Sequence, residues 1–156
     1  MQLPNIKVLV ISIASPMLIG IYKDDILIET LTKEGKTSDL LPTLFEKILK
    51  KYSVTDIIYV NGPGSYMAIK IAYIFLKTVS IVNKINLFAI SGFELNNNSP
   101  IKALGKKYFI RDISAENEIR IDFLTDQNIE EFTLPNDISS MKYSKNILPE
   151  YNLPAV

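Results

Sequence analysis

The order of the strand-like and helical segments constrains the fold of this chain more than any other feature of its sequence. Three apolar runs rich in β-branched residues come first, over Ile6–Ile13, Met17–Tyr22 and Ile26–Leu31. Pro16 and the turn Lys23–Asp25 separate these runs, which predicts an antiparallel meander with tight connections. The first run is apolar at nearly every position, as expected of a central strand that is buried on both faces.

After the third run the periodicity changes, and helical segments alternate with strands. The predicted elements are a helix from Thr37 or Ser38 to about Tyr52, a strand over Asp56–Val60, a second helix over Tyr66–Val82 and a strand over Asn86–Ile90. A short helical segment is predicted to begin after the capping residue Ser91. The resulting β-β-β-α-β-α-β order predicts an α/β fold, and RNase H-like folds share this order.

A run of asparagines at 96–98 marks the best candidate for a domain boundary. Beyond it, strand patterns occur only over 108–110 and 118–124, and the last part of the chain has little periodicity. We therefore predict an N-terminal lobe over 1–97. Residues 98–156 are expected to form an abbreviated second lobe or a C-terminal extension.

The composition excludes several classes of function. The chain contains no histidine and no cysteine, which rules out Ser–His and Cys–His catalytic pairs and zinc sites built on these residues. Its 17 basic and 17 acidic side chains cancel, whereas a protein that binds nucleic acid alone carries clustered positive charge. No signal peptide is evident, and the apolar stretch around Ile69–Leu76 is too short to cross a bilayer. We predict a cytoplasmic protein with no catalytic residue, no metal site and no membrane contact.

The second predicted helix is apolar around most of its circumference, apart from a strip formed by Tyr66, Lys70, Tyr73 and Lys77. A surface helix needs only one apolar stripe, so this helix has to bury surface on more than one side. Either later segments of the chain cover the additional surface, or a partner protein does. We predict a partner interface on both helices, at Leu40, Leu41, Leu44, Phe45, Ile48, Tyr66, Ala68, Ile69, Lys70, Ala72, Tyr73 and Leu76.

The turn Gly62-Pro63-Gly64-Ser65 connects a strand to the start of this helix. Backbone amides at such a turn can hold a phosphate, helped by the positive end of the helix dipole. The pattern lacks the lysine of a P-loop and the third glycine of a dinucleotide fingerprint. Glycines at such corners more often serve only to turn the chain, and a positive φ angle is expected at Gly64.

The segment Asn61–Ala72, with the sequence NGPGSYMAIKIA, resembles the GPGSFTGLRIG signature of the TsaB (YeaZ) family. Two further segments occur in the order found in that family. Thr37–Pro42 (TSDLLP) is similar to its HSERLLP helix start, and Phe88–Leu95 (FAISGFEL) is similar to its VGVSSLEAL strand–helix junction. The resemblance covers about residues 6–97.

This resemblance implies an actin-like fold with a truncated C-terminal lobe. It also implies a role in making threonylcarbamoyladenosine next to the tRNA anticodon. In that family the subunit is not catalytic: it pairs through its first two helices with the paralogue TsaD, which holds the metal and the threonylcarbamoyl-adenylate. The small ATPase TsaE joins the pair. The resemblance thus implies that this chain binds no cofactor alone, that ATP and metal lie on its partners, that tRNA is contacted only indirectly, and that the isolated chain forms a weak homodimer.

Several residues depart from the family pattern. Ile11 lies where the first strand of the family ends in Asp-Thr-Ser-Thr, Lys36 replaces its histidine, and Met67-Ala68 replaces its Thr-Gly. An actin-like ATPase needs a carboxylate near Ile11 to hold hydrated Mg²⁺. The alternatives are a self-standing actin-like ATPase or phosphotransferase, an RNase H-like nuclease and a homodimeric scaffold. The first two need acidic strand ends, where this chain has Ile11 and Val60.

Overall fold

The computed structural model describes residues 2–112, 114, 118–124 and 129–151. Its elements are β1 (Asn5–Ile11), β2 (Met17–Lys23), β3 (Ile26–Lys33), α1 (Thr37–Lys51), β4 (Ser53–Gly62), α2 (Tyr66–Asn83), β5 (Asn86–Ser91), a 3₁₀ turn (Gly92–Leu95), β6 (Ile101–Lys102), β7 (Lys107–Arg111) and β8 (Ile119–Phe123). The mixed α/β class and the predicted order of the first seven elements are confirmed. The Ser91 side chain accepts a hydrogen bond from the N–H of Phe93 and caps the 3₁₀ turn, as predicted.

The first five strands form one sheet in the order β3-β2-β1-β4-β5. The meander β1–β2–β3 is antiparallel, while β4 pairs parallel to both β1 and β5. The central position of β1 explains its continuous apolarity, because both faces of the strand are covered. Val8, Leu9, Val10 and Ile11 accordingly have no exposed surface.

Two layers cover this sheet. On one face, α1 and α2 lie against each other and against the strands. The apolar residues of α1 that recur at helical spacing face the sheet, namely Leu41, Leu44, Phe45 and Ile48. Pro42 is the sixth residue of α1 and lies inside the helix, so the Ser38 carbonyl lacks the N–H partner that any other residue at this position would supply. The opposite face of the sheet is covered by residues that follow the small sheet in sequence, among them Phe132, Leu134, Ile138, Met141 and Tyr143.

The part of the chain beyond Asn97 has two structural components. Strands β6, β7 and β8 form a small antiparallel sheet. Residues 129–151 then return to the first sheet, where bridges join Asp137 to Ile26 and Ser144 to Ala89. The predicted segment 98–156 therefore contains both a small sheet and an extension that packs on the N-terminal lobe. Residues 113, 115–117, 125–128 and 152–156 of that segment lie outside the described residues.

Helix α2 is long and apolar enough, by length and composition alone, to cross a membrane: it has 18 residues with a mean hydropathy of 1.3. The sequence-based estimate counted only Ile69–Leu76 and was too short. In this fold α2 lies on the sheet of a small α/β domain, with Ile69, Ala72 and Leu76 fully buried. Burial against the sheet thus explains only the inner side of this apolar helix.

Candidate functional site: an apolar face on the helical layer

Helix α1 separates its apolar and polar side chains onto opposite sides. Its inner side is buried against the sheet, and its outer side carries exposed charges such as Asp39, Glu46, Lys47 and Lys50. Glu46 and Lys50 form an exposed ion pair at 3.1 Å, of the i, i+4 type that stabilises helices slightly. The outer side of α1 is therefore suited to contact with water.

Helix α2 has an apolar inner side and a second apolar side that faces away from the sheet. Exposed fractions are 54% for Met67, 53% for Ile74, 66% for Ile81 and 72% for Val82. With partly buried Ile71 and exposed Thr78, these side chains follow the helical period along the full length of α2. We call this set the outer face of α2, and its residues are Met67, Ile71, Ile74, Thr78, Ile81 and Val82. An exposed apolar stripe of this kind makes the outer face of α2 a candidate interaction surface.

A groove of about 320 Å³ lies between the two helices, next to this outer face. Its lining is Thr37, Ser38, Leu41, Pro42, Ile71, Ile74, Phe75 and Thr78. Among these residues, Phe75 packs its ring edge-on against that of Phe45, at 5.8 Å between centroids. The groove and the outer face together form an apolar surface on the helical layer, with no charged side chain lining the groove.

The structure corrects the predicted interface at most of its positions. Seven of the predicted residues are 4% exposed or less and pack into the core against the sheet, namely Leu41, Leu44, Phe45, Ile48, Ile69, Ala72 and Leu76. No partner can reach these side chains while the domain stays folded. Sequence reasoning could not tell the buried side of α2 from its exposed side, because a helix that is apolar all round carries no signal for which side meets its own sheet.

The remaining predicted residues have different surroundings. Tyr66 stacks on Tyr151 at 4.3 Å between centroids, with the Lys70 ammonium 5.8 Å from the Tyr66 ring. Burial is the main cause that raises the pKa of Tyr151, so this phenol stays neutral. Tyr73 packs near Tyr59, at 6.4 Å between centroids. Leu40 and Ala68 are partly exposed, and Lys70 is exposed; a role of these residues at an interface stays a prediction.

The glycine turn before α2 is closed by the chain itself. A Cβ on Gly62 would lie 2.6 Å from the carbonyl oxygen of Glu150, and a Cβ on Gly64 would lie 3.0 Å from the Cβ of Ile13. Gly62 and not Gly64 has the positive φ angle, at 140°, so the expectation for Gly64 was wrong. The first three residues of the predicted turn Gly62–Ser65 are buried, and these contacts are sufficient reason for both glycines.

The described residues contain no group of three or more His, Cys, Asp or Glu side chains that could hold a metal ion. The carboxyl end of β1 is Ile11, which is followed by the buried Ser12. The cavity beside this strand end has Lys36 as the one charged residue of its lining. This arrangement offers positive charge and hydroxyl groups, and not carboxylates, next to the end of β1.

Comparisons with known proteins identify the fold. A scan against models of protein families found no match, and a search of curated protein sequences found none either. Among solved structures, the chain is similar to YeaZ from Pseudomonas aeruginosa, with a TM-score of 0.58 and 11% sequence identity over 87% of this chain and 73% of that one. It is also similar to a structure described as an uncharacterized protein with similarity to peptidase YEAZ from Pseudomonas aeruginosa, with a TM-score of 0.53 and 11% identity over 87% of this chain and 72% of the other.

This chain has a YeaZ-like fold. Sequence identity at this level shows the fold and does not extend to a shared activity. The motifs around Thr37–Pro42, Asn61–Ala72 and Phe88–Leu95 had indicated the same fold from the sequence. The five-stranded sheet with its two helices is the part of the molecule on which those motifs lie.

Proposed function

We propose that this protein is a non-catalytic subunit that docks through the outer face of α2 and the adjoining groove onto a TsaD-type catalytic paralogue. In this proposal it acts in the synthesis of threonylcarbamoyladenosine in tRNA, in the cytoplasm. The observation that carries the proposal is the exposed apolar outer face of α2 on a YeaZ-like fold. Exposed apolar surface of this extent favours a protein partner over solvent.

The proposal assigns the chemistry to the partners. ATP and the metal would be held by the TsaD-type paralogue and a TsaE-type ATPase, and tRNA would be contacted mainly through them. The absence of histidine and the apolar end of β1 at Ile11 support a subunit without catalysis. One similar structure is described by likeness to a peptidase, but this chain lacks the histidine and cysteine that most peptidase nucleophile pairs require.

A binding experiment on a single surface position tests the proposal. The full chain is co-expressed with the TsaD-type paralogue of the same cell, and complex formation is measured by co-purification and titration calorimetry. Ile74→Glu should weaken the complex at least about 30-fold, because anchors at the centre of an interface commonly contribute about 2 kcal/mol or more and the new carboxylate would be desolvated. Lys47→Glu, on the charged outer side of α1, is the matched control and should bind like wild type.

A cellular readout accompanies the binding assay. Deletion of the gene should lower the threonylcarbamoyladenosine content of tRNA, wild type and Lys47→Glu should restore it, and Ile74→Glu should not. The proposal fails if the wild-type chain and the paralogue do not associate at high micromolar concentrations while the modification level is unaffected by the deletion. A homodimer that is lost in Ile74→Glu, without any binding to the paralogue, would instead identify the chain as a scaffold of identical subunits.

A further inference from the structure

The small sheet ends in a strand edge that pairs with no other described strand. Strand β8 pairs with β7 on one side, and we call its opposite side the outer edge of β8. The edges of the large sheet differ from it. On β3 the Leu27 N–H donates to the Asn136 carbonyl, and on β5 Ala89 and Ser144 exchange two hydrogen bonds. The chain thus covers part of both edges of its large sheet, whereas the outer edge of β8 is open over the described residues.

Strand β8 also lacks the features that usually protect edge strands. A bulge, a lysine or a proline commonly prevents an exposed edge from pairing with another chain. Edge strand β3 has two of these features, an irregular register between Ile21 and Tyr22 of its neighbour and the exposed Lys33. Strand β8, with the sequence IRIDF, has no lysine and no proline, its register with β7 is unbroken, and its two charges have opposite signs. The outer edge of β8 is therefore able to pair with another strand.

Alternate residues of β8 direct their backbone groups to the outer edge. The Asp112 N–H donates to the Glu118 carbonyl at 2.7 Å, and hydrogen-bonded pairs alternate along an antiparallel ladder. The even-numbered residues of β8 therefore direct their backbone groups to β7. The odd-numbered residues Ile119, Ile121 and Phe123 direct theirs to the outer edge. In agreement with this, the Phe123 N–H donates to the carboxylate of the preceding residue, at 2.8 Å, and not to a strand.

The sequence of β8 is complementary to itself in one register. When two copies lie antiparallel about Ile121, Ile119 of each copy is opposite Phe123 of the other, so every outward-facing residue meets an outward-facing residue. The same register places Arg120 of each copy opposite Asp122 of the other, and opposite charges at such positions stabilise a strand pair. The nearest alternative registers with matched backbone groups place Arg120 opposite Arg120 or Asp122 opposite Asp122. Charge thus favours one register.

We propose that the outer edge of β8 pairs with the same edge of a second copy of this chain, which joins two small sheets into one antiparallel sheet about a twofold axis. Ile121 and Phe123, which are 38% and 59% exposed, become covered by the apolar side chains of the other copy. Ile119 already packs on the core cluster of the small sheet, and Phe123 of the second copy extends that cluster. This seam shares no residue with the outer face of α2 or its groove, and it does not depend on the proposed docking.

Charge substitutions in this seam test the pairing, and sedimentation equilibrium of the full chain measures it. Arg120→Glu makes positions 120 and 122 both acidic, and Asp122→Arg makes both basic, so each variant alone places like charges opposite each other. The dissociation constant of the dimer should rise at least about tenfold in either variant, because two favourable cross-strand pairs become repulsive. Lys102→Glu lies on the same face of the small sheet but on its far strand, and this matched control should dimerise like wild type.

A mixture of the two variants separates a loss of pairing from a loss of folding. In the mixture, the acidic edge of Arg120→Glu meets the basic edge of Asp122→Arg, so a heterodimer should form about as tightly as the wild-type homodimer. Ile74→Glu should keep the wild-type dissociation constant, because it lies on the outer face of α2. The proposal is overturned if the wild-type chain is monomeric at millimolar concentration, if either seam variant dimerises like wild type, if the mixture forms no heterodimer, or if Ile74→Glu abolishes the dimer.

Discussion

Helices α1 and α2 lie against the same face of the same sheet, and their inner sides are built alike. Both bury a stripe of aliphatic side chains at helical spacing, with Leu44 and Ile48 on α1 and Ile69 and Leu76 on α2. Leu44, Ile48 and Leu76 share one core cluster with side chains of strands β1, β2 and β4. Packing against the sheet therefore accounts for half the circumference of each helix.

The outer sides of the two helices differ. That of α1 carries charges of both signs, whereas that of α2 exposes Met67, Ile74, Ile81 and Val82. The requirements of folding are the same for both helices, so they cannot explain the difference. An apolar outer side adds nothing to the stability of the domain and promotes association, which is why it indicates a contact outside the domain.

The largest expected effect comes from placing a charge on the buried side of α2 and comparing it with the same charge on the exposed side. Ala72→Glu should unfold the domain, because an unpaired carboxylate at a position with no exposed surface costs several kcal/mol. Ile74→Glu introduces the same charge two residues along the helix and should change the free energy of unfolding by less than about 0.5 kcal/mol. Circular dichroism during urea titration measures both. An Ala72→Glu variant with native stability would show that α2 is rotated relative to this structure.

The starts of the two helices give a second comparison. Gly35 precedes α1 with φ of 139° and Gly62 precedes α2 with φ of 140°, so a side chain is strained at either position. A Cβ on Gly35 would meet only Leu40 side-chain atoms at 3.4 Å or more, whereas a Cβ on Gly62 would lie 2.6 Å from the backbone oxygen of Glu150. The start of α1 is open, and the start of α2 is sealed by the C-terminal extension.

Alanine substitutions at these two glycines test whether the C-terminal extension holds the start of α2. Gly35→Ala should cost about 1–3 kcal/mol through backbone strain alone. Gly62→Ala should cost at least about 1 kcal/mol more, because Glu150 has to move and its N–H bond to the Asn61 carbonyl, at 2.8 Å, is disturbed. Thermal unfolding of both variants provides the comparison. Equal losses would mean that the extension does not hold the start of α2.

Much of the fold could be predicted from the sequence because its elements carry local signals. The continuous apolar run of β1, the spacing of Leu41, Leu44, Phe45 and Ile48, and the Ser91 cap each determine structure within a few residues of themselves. The antiparallel pairing of β1, β2 and β3 followed from these elements because segments that are neighbours in sequence tend to pair.

The features that sequence reasoning missed depend on distant contacts. Gly62 has a positive φ and lies against Glu150, which belongs to a segment without periodicity. The side of α2 that meets the sheet is fixed by tertiary packing and not by any pattern in the helix. Helix α1 has Lys36 as its N-cap residue and no side-chain cap hydrogen bond, whereas the sequence had suggested that Thr37 or Ser38 begins the helix as its cap.

The smallest expected effect concerns how the C-terminal ends of the two helices are held. At the end of α1, the Glu29 carboxylate of β3 accepts hydrogen bonds from the Tyr52 hydroxyl and, at 3.0 Å, from the Lys51 ammonium. The end of α2 is closed within the helix itself, through Lys84 in the left-handed conformation and through the Asn83 side-chain amide, which donates to the Val79 carbonyl at 3.0 Å. The stability of the C-terminal end of α1 should therefore depend on pH through the charge of Glu29.

The Tyr52 hydrogen bond, followed by Lys51, holds the pKa of Glu29 below its ordinary value, while burial raises the pKa of Tyr52 and keeps that phenol a donor. The pKa of a glutamate in the unfolded chain is about 4.3. A carboxylate whose pKa is lower in the folded state contributes its full share of the folding free energy above that unfolded pKa. This contribution is lost as the pH falls through the lowered folded pKa. The contribution should stay under about 1 kcal/mol because the cluster is partly exposed. In Glu29→Gln the free energy of unfolding should therefore fall less steeply than in wild type between about pH 5 and 3. Midpoints of urea unfolding measure this. Glu34→Gln, at an exposed position, is the control and should keep the wild-type pH profile. Parallel profiles for Glu29→Gln and wild type would mean that the cluster does not anchor α1.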